Sequence, residues 1–211
     1  MRIGLFGGSF DPVHLGHLWI AEAARESLEL DQVRWIPTAT SPLKLHGAIA
    51  SDQDRVQMLR LALSGDTHHE VDEREIERAD VSYTVETVSQ FLAEMPGTQF
   101  FLIIGSDSLA TIRQWREPQR LLELITLAVV QRGGEAEIDF SVLQGLVDSD
   151  RIDAIASQVI KMPVIELSSS ELRDRIAAGR SIRYRTPRSV EALIRARGLY
   201  RGEGNRKSQR R

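Results

Sequence analysis

The amino-acid sequence predicts an α/β protein built on a doubly wound parallel sheet. Two near-continuous apolar runs, residues 100–104 and 125–130, have the composition of strands buried on both faces of such a sheet. Strand-length apolar segments also alternate with segments of helical periodicity, the order that produces strand–helix–strand units. Ligands of these sheets bind beyond the carboxyl ends of the strands, so a site is expected in the loops that follow them.

Three shorter segments complete the predicted set of strands. Residues 2–6 form an apolar run after Arg2, and two glycines end it at once. Residues 33–37 and 163–167 are also rich in apolar residues. We therefore expect the sheet to begin at residue 2 and to end with the strand at 163–167.

Helices are predicted where apolar residues recur at a spacing of three or four. The first spans 16–30, directly after the glycine turn. Asp52 has the residue type of an N-cap and is expected to begin the second helix, whereas Thr84 is expected to begin the third. A further helix is expected to open at the serines 168–170.

Composition fits one domain and excludes several classes of function. The chain has 211 residues, 42% of them hydrophobic, which suffices for one domain over residues 1–200. A formal net charge of −3 gives no general attraction for nucleic acid, and the absence of cysteine excludes disulfides and thiolate chemistry. No segment resembles a signal peptide or a membrane-spanning helix, so we expect a cytoplasmic protein with no membrane partner. Homo-oligomerisation stays open.

The C-terminal tail differs from the rest of the chain in composition. Residues 201–211 carry five basic side chains and one acidic side chain. We expect this tail to be disordered, because solvated basic termini are common. A role in binding phosphate or a partner is the alternative.

The loop after the first strand carries the strongest chemical signal. Gly7 and Gly8 allow a sharp turn that brings backbone N–H groups close to an anion. His14 and His17 lie three residues apart, so both imidazoles project to one side if the helix begins near Pro12. Such a pair suits a phosphate group. A metal half-site and a pair of inert surface histidines are the alternatives, although no third ligand is apparent nearby.

Two segments together resemble a known superfamily. Residues 7–17 are similar to the G-x-F-D-P-x-H-x-G-H motif of the nucleotidyltransferases that carry an H-x-G-H element. Residues 168–173 are similar to their second, I-S-S-T-x-x-R-like motif. Within this superfamily the chain resembles the bacterial nicotinate-nucleotide adenylyltransferases almost from end to end, including residues 82–84 and 103–108. The resemblance implies a Rossmann-like nucleotidyltransferase fold.

The resemblance also implies a reaction. The 5′-phosphate of nicotinate mononucleotide would attack the α-phosphorus of ATP, releasing pyrophosphate, with Mg²⁺ bound through the ATP phosphates rather than by a protein metal site. Such a reaction needs alignment and charge neutralisation, not a protein nucleophile. His14 and His17 would bind the ATP phosphates as catalytic residues. Gly7, Gly8, Ser9 and Phe10 would complete this part of the ATP site.

The second motif supplies further ATP-binding candidates. Ser169 and Ser170 open a predicted helix, whose N–H groups and hydroxyls would meet the β and γ phosphates. Arg173 would add a fixed fork of donors and is the next catalytic candidate. Gly105 and Asp107, in the loop after residues 100–104, would contact the nucleoside. Without the first motif, residues 168–170 would be interpreted as an N-cap cluster and Arg173 as a solvated charge.

Lys44 is a catalytic candidate that depends on the resemblance. The family carries a P-P-H-K-like element in the loop after the second strand, and its lysine would bridge the two reacting phosphates. In this chain Leu43 stands in place of the usual histidine. His46 is the alternative source of the missing phosphate contact.

The acceptor would bind around Trp115, whose indole offers a face for stacking a pyridine ring. Its polar neighbours favour exposure of this side chain. By resemblance, Thr84 and Arg116 would bind the ring carboxylate, while Arg132 and Lys44 would reach the acceptor phosphate. Other functions remain open: a related transferase acting on nicotinamide mononucleotide, phosphopantetheine or an alcohol phosphate, and a non-catalytic nucleotide-binding module.

Overall fold

A computed structural model describes residues 1–40, 47–134 and 137–202. In this part of the chain six strands form one all-parallel sheet in the order β3-β2-β1-β4-β5-β6. The strands are β1 (Arg2–Gly8), β2 (Gln32–Pro37), β3 (His69–Val71), β4 (Gln99–Gly105), β5 (Thr126–Arg132) and β6 (Ile160–Met162). The strand order reverses between β1 and β4, which is the switch point of a doubly wound fold.

Helices cover both faces of the sheet. They are α1 (Leu15–Ser27), α2 (Asp52–Ala62), α3 (Arg74–Arg78), α4 (Thr84–Glu94), α5 (Ser106–Ala110), α6 (Pro118–Leu124), α7 (Ser149–Ala156), α8 (Ser169–Ala177) and α9 (Arg188–Arg197). Short 3₁₀ turns occupy Ile112–Gln114 and Phe140–Leu143. No helix in the described ranges is both long and apolar enough to span a membrane.

Two hydrophobic layers enclose the sheet. Alternate residues of β4 face opposite layers: Phe101 and Ile103 pack beneath α1, α2, α8 and α9, while Leu102 packs beneath α4, α6 and α7. This alternation explains the continuous apolar runs, because both faces of each central strand are buried. The predicted doubly wound α/β fold is confirmed.

The first helix and the last strand depart from the predictions. Helix α1 begins one residue before the predicted range of 16–30 and ends three residues before the end of that range, and His14 is its N-cap with an extended backbone. The last strand is β6, not residues 163–167. Strand β6 pairs with β5 through Ile160, and the proline at position 163 lacks the N–H that would extend this pairing.

The start of α2 also differs by one residue. Ser51, not Asp52, is the N-cap, since its hydroxyl accepts a hydrogen bond from the N–H of Asp54 at 3.1 Å. Strand β3 and helices α3, α5, α6, α7 and α9 were not predicted. Strand β3 has only three residues, too few for a period-two pattern to emerge.

Candidate active site

Two cavities open beside the switch point of the sheet. The first measures about 530 Å³ and lies against the loop between β1 and α1 and against the start of α8. The second measures about 450 Å³ and extends over the ends of β1 and β4 towards α4. The residues that line both cavities are Ser9, His17, Ile20, Thr38, Asp107 and Arg132. The two cavities therefore meet around His17.

The loop between β1 and α1 is held through its backbone carbonyl groups. Side chains from distant parts of the chain donate to four of them: Arg55 to Ser9 (2.8 Å), Arg173 to Asp11 (2.7 Å), Ser169 to Pro12 (2.9 Å) and Thr186 to Val13 (2.8 Å). These donors neutralise carbonyl dipoles that would otherwise repel an anion beside the loop. The arrangement is suited to a phosphate group in the first cavity.

Asp11 fixes this loop from a second direction. Its buried carboxylate accepts hydrogen bonds from the N–H groups of Ile49 (2.7 Å) and Ala50 (3.1 Å) and from the hydroxyl of Tyr200 (2.6 Å). Burial and the neighbouring Asp11 carboxylate raise the pKa of the Tyr200 hydroxyl, so it remains a donor. Asp11 thus joins the loop to the segment before α2 and to Tyr200 near the end of the described chain.

His14 and His17 form a stacked pair at the start of α1. Their ring centroids lie 3.7 Å apart with an interplanar angle of 23°. The backbone N–H of His14 donates to Nδ1 of His17 at 3.2 Å. The neutral His17 ring therefore carries its proton on Nε2, which makes Nε2 a hydrogen-bond donor. Phe10 packs edge-on against this ring, at 5.2 Å between centroids.

His14 is held in its neutral form. Burial, followed by the positive charge of Arg132, lowers the pKa of His14 to about 4. Only 5% of the residue is exposed, although it lines the first cavity. At neutral pH His14 therefore contributes a hydrogen-bonding imidazole rather than a charge.

The second motif lines the first cavity together with this pair. Ser168 is the N-cap of α8, where its hydroxyl accepts from the N–H of Glu171 at 3.1 Å. Ser169 is turned towards the carbonyl of Pro12, as described above. Ser170 accepts a hydrogen bond from Nη2 of Arg173 at 3.0 Å, and both line the cavity. The N-terminus of α8 and the Arg173 guanidinium therefore face the same space as the histidines.

Gly105, Asp107 and Arg132 meet at the wall between the cavities. A side chain at position 105 would place its Cβ 2.5 Å from Oδ1 of Asp107 and 3.9 Å from Nη2 of Arg132. A Cβ would force the Asp107 carboxylate to move from this position, whereas its distance to Arg132 would be that of an ordinary van der Waals contact. The carboxylate and the guanidinium are thereby brought to the place where the two cavities join.

The second cavity contains the predicted acceptor residues. Thr84, Trp115 and Arg116 all line it, and the Arg116 guanidinium lies 4.6 Å from the centroid of the Tyr83 ring. The expectation that Trp115 is exposed is wrong. The side chain is half-buried against the apolar layer, and its indole N–H is buried without a hydrogen-bond partner in the described structure. The polar residues beside it in sequence do not surround it in space.

Four residues predicted for the ATP site line the second cavity instead of the first: Gly7, Gly8, Phe10 and Gly105. A Cβ at position 7 would meet no atom within 4 Å, whereas one at position 8 would lie 2.9 Å from the Phe10 ring. Phe10 itself is 1% exposed and packs on Phe6 and Trp35. Its visible role is to support His17 from below.

Several polar residues that shape the site were not predicted from the sequence. Arg55, Thr186, Tyr200 and Glu75 are buried or half-buried polar residues that hold the loops around the cavities. A polar residue on the apolar side of a helix, such as Arg55 beside the buried Val56, Met58 and Leu59 of α2, was the available signal. Lys44, Leu43 and His46 lie outside the described residues.

The described part of the chain was expected to bind Mg²⁺ through ATP and not through a metal site of its own. The described residues include no cluster of three or more histidine or carboxylate side chains able to hold a metal ion. Asp11 is engaged by three donors, as described above, while Asp107 lies at the junction of the cavities. This donor set fits a Mg²⁺ ion that arrives on phosphate oxygens and gains at most one carboxylate, the usual mode for nucleotide-bound Mg²⁺.

Comparisons with known proteins agree with this geometry. A cytidylyltransferase-like family model matches residues 5–175. A relative from Rhodopirellula baltica is 52% identical over 199 residues (94% of this chain, 93% of its own), and one from Roseiflexus castenholzii is 44% identical over 202 residues (95% and 98%). Both are named "Probable nicotinate-nucleotide adenylyltransferase".

Solved structures give the same fold at lower sequence identity. A Plasmodium falciparum nicotinic acid mononucleotide adenylyltransferase complexed with APC superposes with a TM-score of 0.71 at 15% identity, covering 94% of this chain and 96% of that one. The same protein complexed with NaAD gives 0.71 at 16% identity, covering 94% and 97%. The predicted nucleotidyltransferase fold is thereby confirmed.

Proposed function

The chain belongs to the cytidylyltransferase-like family and groups with its nicotinate-nucleotide adenylyltransferases, and from this premise we propose that it transfers the adenylyl group of ATP to nicotinate mononucleotide. The acceptor's 5′-phosphate oxygen bonds to the α-phosphorus, and the bond from that phosphorus to the bridging oxygen of the β-phosphate breaks. The products are nicotinate adenine dinucleotide and pyrophosphate, a step of NAD biosynthesis.

One observation carries the proposal: two cavities of similar size meet at His17, Asp107 and Arg132. A reaction that joins two nucleotides through their phosphates needs two binding spaces with one shared wall. That wall should hold hydrogen-bond donors and positive charge, because negative charge accumulates on the reacting phosphates. We assign the first cavity to ATP and the second to the pyridine nucleotide.

Each residue in the ATP cavity then has a role. His17 donates from Nε2 to the α-phosphate, where negative charge develops in the transition state. His14, held neutral, hydrogen-bonds the phosphates without adding a charge that would be lost on titration. Arg173 and the α8 N-terminus with Ser169 and Ser170 neutralise the departing pyrophosphate.

A divalent metal supports this chemistry. Nucleotidyltransferases of this kind generally use one, and we propose Mg²⁺, carried by the ATP phosphates; the Asp107 carboxylate, which lines both cavities, would hold it on the protein side. When bound, the ion would withdraw charge from the phosphate oxygens. The chain's own residues align the nucleophile and keep the phosphates in place.

The acceptor cavity is proposed to select the pyridine nucleotide. Trp115 presents a half-buried aromatic side chain in its wall, which suits stacking against a flat ring. Thr84 and the backbone near Arg116 supply donors for the ring carboxylate. Arg132, shared by both cavities, is placed to attract the acceptor phosphate, and Lys44 is proposed to bridge the reacting phosphates.

The test is a turnover assay with purified protein, ATP, MgCl₂ and nicotinate mononucleotide. We expect equimolar release of pyrophosphate and formation of the dinucleotide, measured by coupled phosphate detection and by chromatography. Parallel reactions with nicotinamide mononucleotide and with phosphopantetheine define the acceptor. Turnover of phosphopantetheine without turnover of either pyridine nucleotide would refute the acceptor assignment, and nucleotide binding without any turnover would indicate a non-catalytic module.

A further inference from the structure

The floor of the acceptor cavity contains a buried carboxyl group that the reaction described above does not use. Glu75, on the short helix α3, is 6% exposed and lines the second cavity. An acidic side chain is rarely buried to this extent unless several donors satisfy it, because the isolated charge loses its hydration. Its surroundings therefore indicate what it holds in place.

Three hydroxyl groups from three segments converge on this carboxyl. Thr87, on α4, donates to Oε1 at 2.8 Å in a buried hydrogen bond. The hydroxyls of Ser82 and Thr38 lie close enough to the Glu75 carboxyl to lower its pKa, against the larger effect of burial. All three hydroxyl residues line the acceptor cavity, and Thr38 lines the ATP cavity as well.

The same network reaches the backbone of the cavity wall. The Ser82 hydroxyl accepts from the N–H of Ala39 at 3.3 Å, and the N–H of Ser82 donates to the carbonyl of Thr40 at 2.9 Å. These contacts join the end of β2 to the segment that carries Tyr83 and Thr84. Glu75 and Ser82 both line the acceptor cavity, so this junction forms part of the wall beside the carboxyl group.

Arg78 is a positively charged residue that acts on the Glu75 carboxyl group. Arg78, one turn further along α3, attracts the carboxylate and donates from Nη2 to the Thr87 hydroxyl at 3.4 Å. Burial nevertheless raises the pKa of Glu75, against the effect of the three hydroxyls and of Arg78. The hydroxyl donors are thus the chief partners of the carboxyl group.

We propose that Glu75 is a positioning residue for the pyridine-nucleotide acceptor, acting through Thr38, Ser82 and Thr87 to set the width of the acceptor cavity. The proposal rests on the function proposed above and assigns a role to a residue outside both motifs. Its distinguishing consequence is selectivity: loss of the carboxyl should weaken binding of the acceptor more than binding of ATP. A merely structural role would lower the active fraction and leave both KM values unchanged.

The experiment measures KM for each substrate and kcat in a graded set of variants. We expect Glu75→Ala to raise the KM for nicotinate mononucleotide about tenfold, since the buried hydrogen bond from Thr87 is lost and the neighbouring hydroxyls lose the same partner, and to change the KM for ATP less than threefold. Glu75→Gln, which keeps one acceptor oxygen, should fall between Ala and wild type. Glu77→Gln, on the exposed side of the same helix, is the matched control and should behave as wild type.

A second pair of variants keeps the proposal testable if Glu75→Ala does not fold. Thr87→Val removes one donor with little change of shape and should raise the acceptor KM, whereas Thr87→Ser retains the hydroxyl and should restore it. Equal effects on both KM values, or none in variants that fold, would overturn the proposal. Wild-type turnover of nicotinate mononucleotide in the same assay separates this outcome from failure of the proposed function.

Discussion

The two cavities are held in shape by different means. Around the ATP cavity, side chains from α2, from α8 and from the segment between α8 and α9 bind backbone carbonyls of one loop. Around the acceptor cavity, hydroxyl side chains gather on the buried carboxyl of Glu75, and the half-buried ring of Trp115 forms part of the wall. The shape of the ATP cavity therefore depends on the backbone conformation of one loop, whereas the shape of the acceptor cavity depends on how side chains pack.

This difference explains which chemistry belongs to which side. Phosphate is common to all nucleotides, and a loop of fixed backbone with helix N-termini recognises it without regard to the base. Choice of acceptor needs a cavity of defined width and polarity, which side chains supply. His17 lies where the two kinds of site meet, so variants there should affect the reaction itself rather than the binding of either substrate.

The largest effect is expected from His17→Ala. The Nε2–H donor of His17 would be lost at the junction of the cavities, and we expect kcat to fall by about 10²- to 10³-fold. Both KM values should change much less, because the lost contact strengthens mainly in the transition state. Steady-state kinetics measure these quantities. His68→Ala, at an exposed histidine, is the control, and a kcat for His17→Ala within tenfold of wild type would remove His17 from its proposed role.

The next effect concerns His14 and acid stability. Its pKa is about 4 in the folded protein and near 6.5 when unfolded, so between these values the unfolded chain binds the additional proton. Acid therefore favours unfolding. The neutral His14 imidazole contributes its full share of the free energy of unfolding above pH 6.5, and this share is lost as the pH falls towards 4. The expected contribution is about 3 kcal/mol between pH 7 and 4.

His14→Gln should remove this part of the pH dependence. Glutamine retains hydrogen-bonding groups but does not titrate, so its free energy of unfolding should fall less steeply from pH 7 to 4 than that of wild type. Urea denaturation at a series of pH values measures the two slopes. Parallel slopes would show that His14 is not held neutral by its surroundings, which would place the ATP cavity closer to solvent than the structure does.

The contrast between backbone and side-chain contacts also explains which parts of the fold and of the site could be predicted from the sequence. The sheet was predictable because both faces of the central strands are apolar, and the loop 7–17 because its glycines and histidines must follow one another in sequence. Ser51 as a cap and β6 as the last strand depend on local geometry that residue types alone do not distinguish. Glu75 and Tyr200 act through partners far away in sequence, and single-residue patterns carry no signal for such contacts.

The smallest effect is expected from Tyr200→Phe, which tests the ATP side alone. The substitution removes the hydroxyl that donates to Asp11 at 2.6 Å and keeps the ring. Asp11 retains the N–H groups of Ile49 and Ala50, so the loop should loosen rather than detach. A loss of about 1 kcal/mol corresponds to a roughly fivefold higher KM for ATP.

The acceptor KM should stay unchanged in Tyr200→Phe, the reverse of the pattern expected for Glu75→Ala. Tyr184→Phe is the matched control, because Tyr184 is 85% exposed. Opposite KM patterns in the Tyr200 and Glu75 variants would mean that the two cavities are held independently although they share a wall. If Tyr200→Phe raised both KM values alike, the hydrogen bonds of Asp11 would position the shared wall at Thr38 and His17 rather than the ATP loop alone.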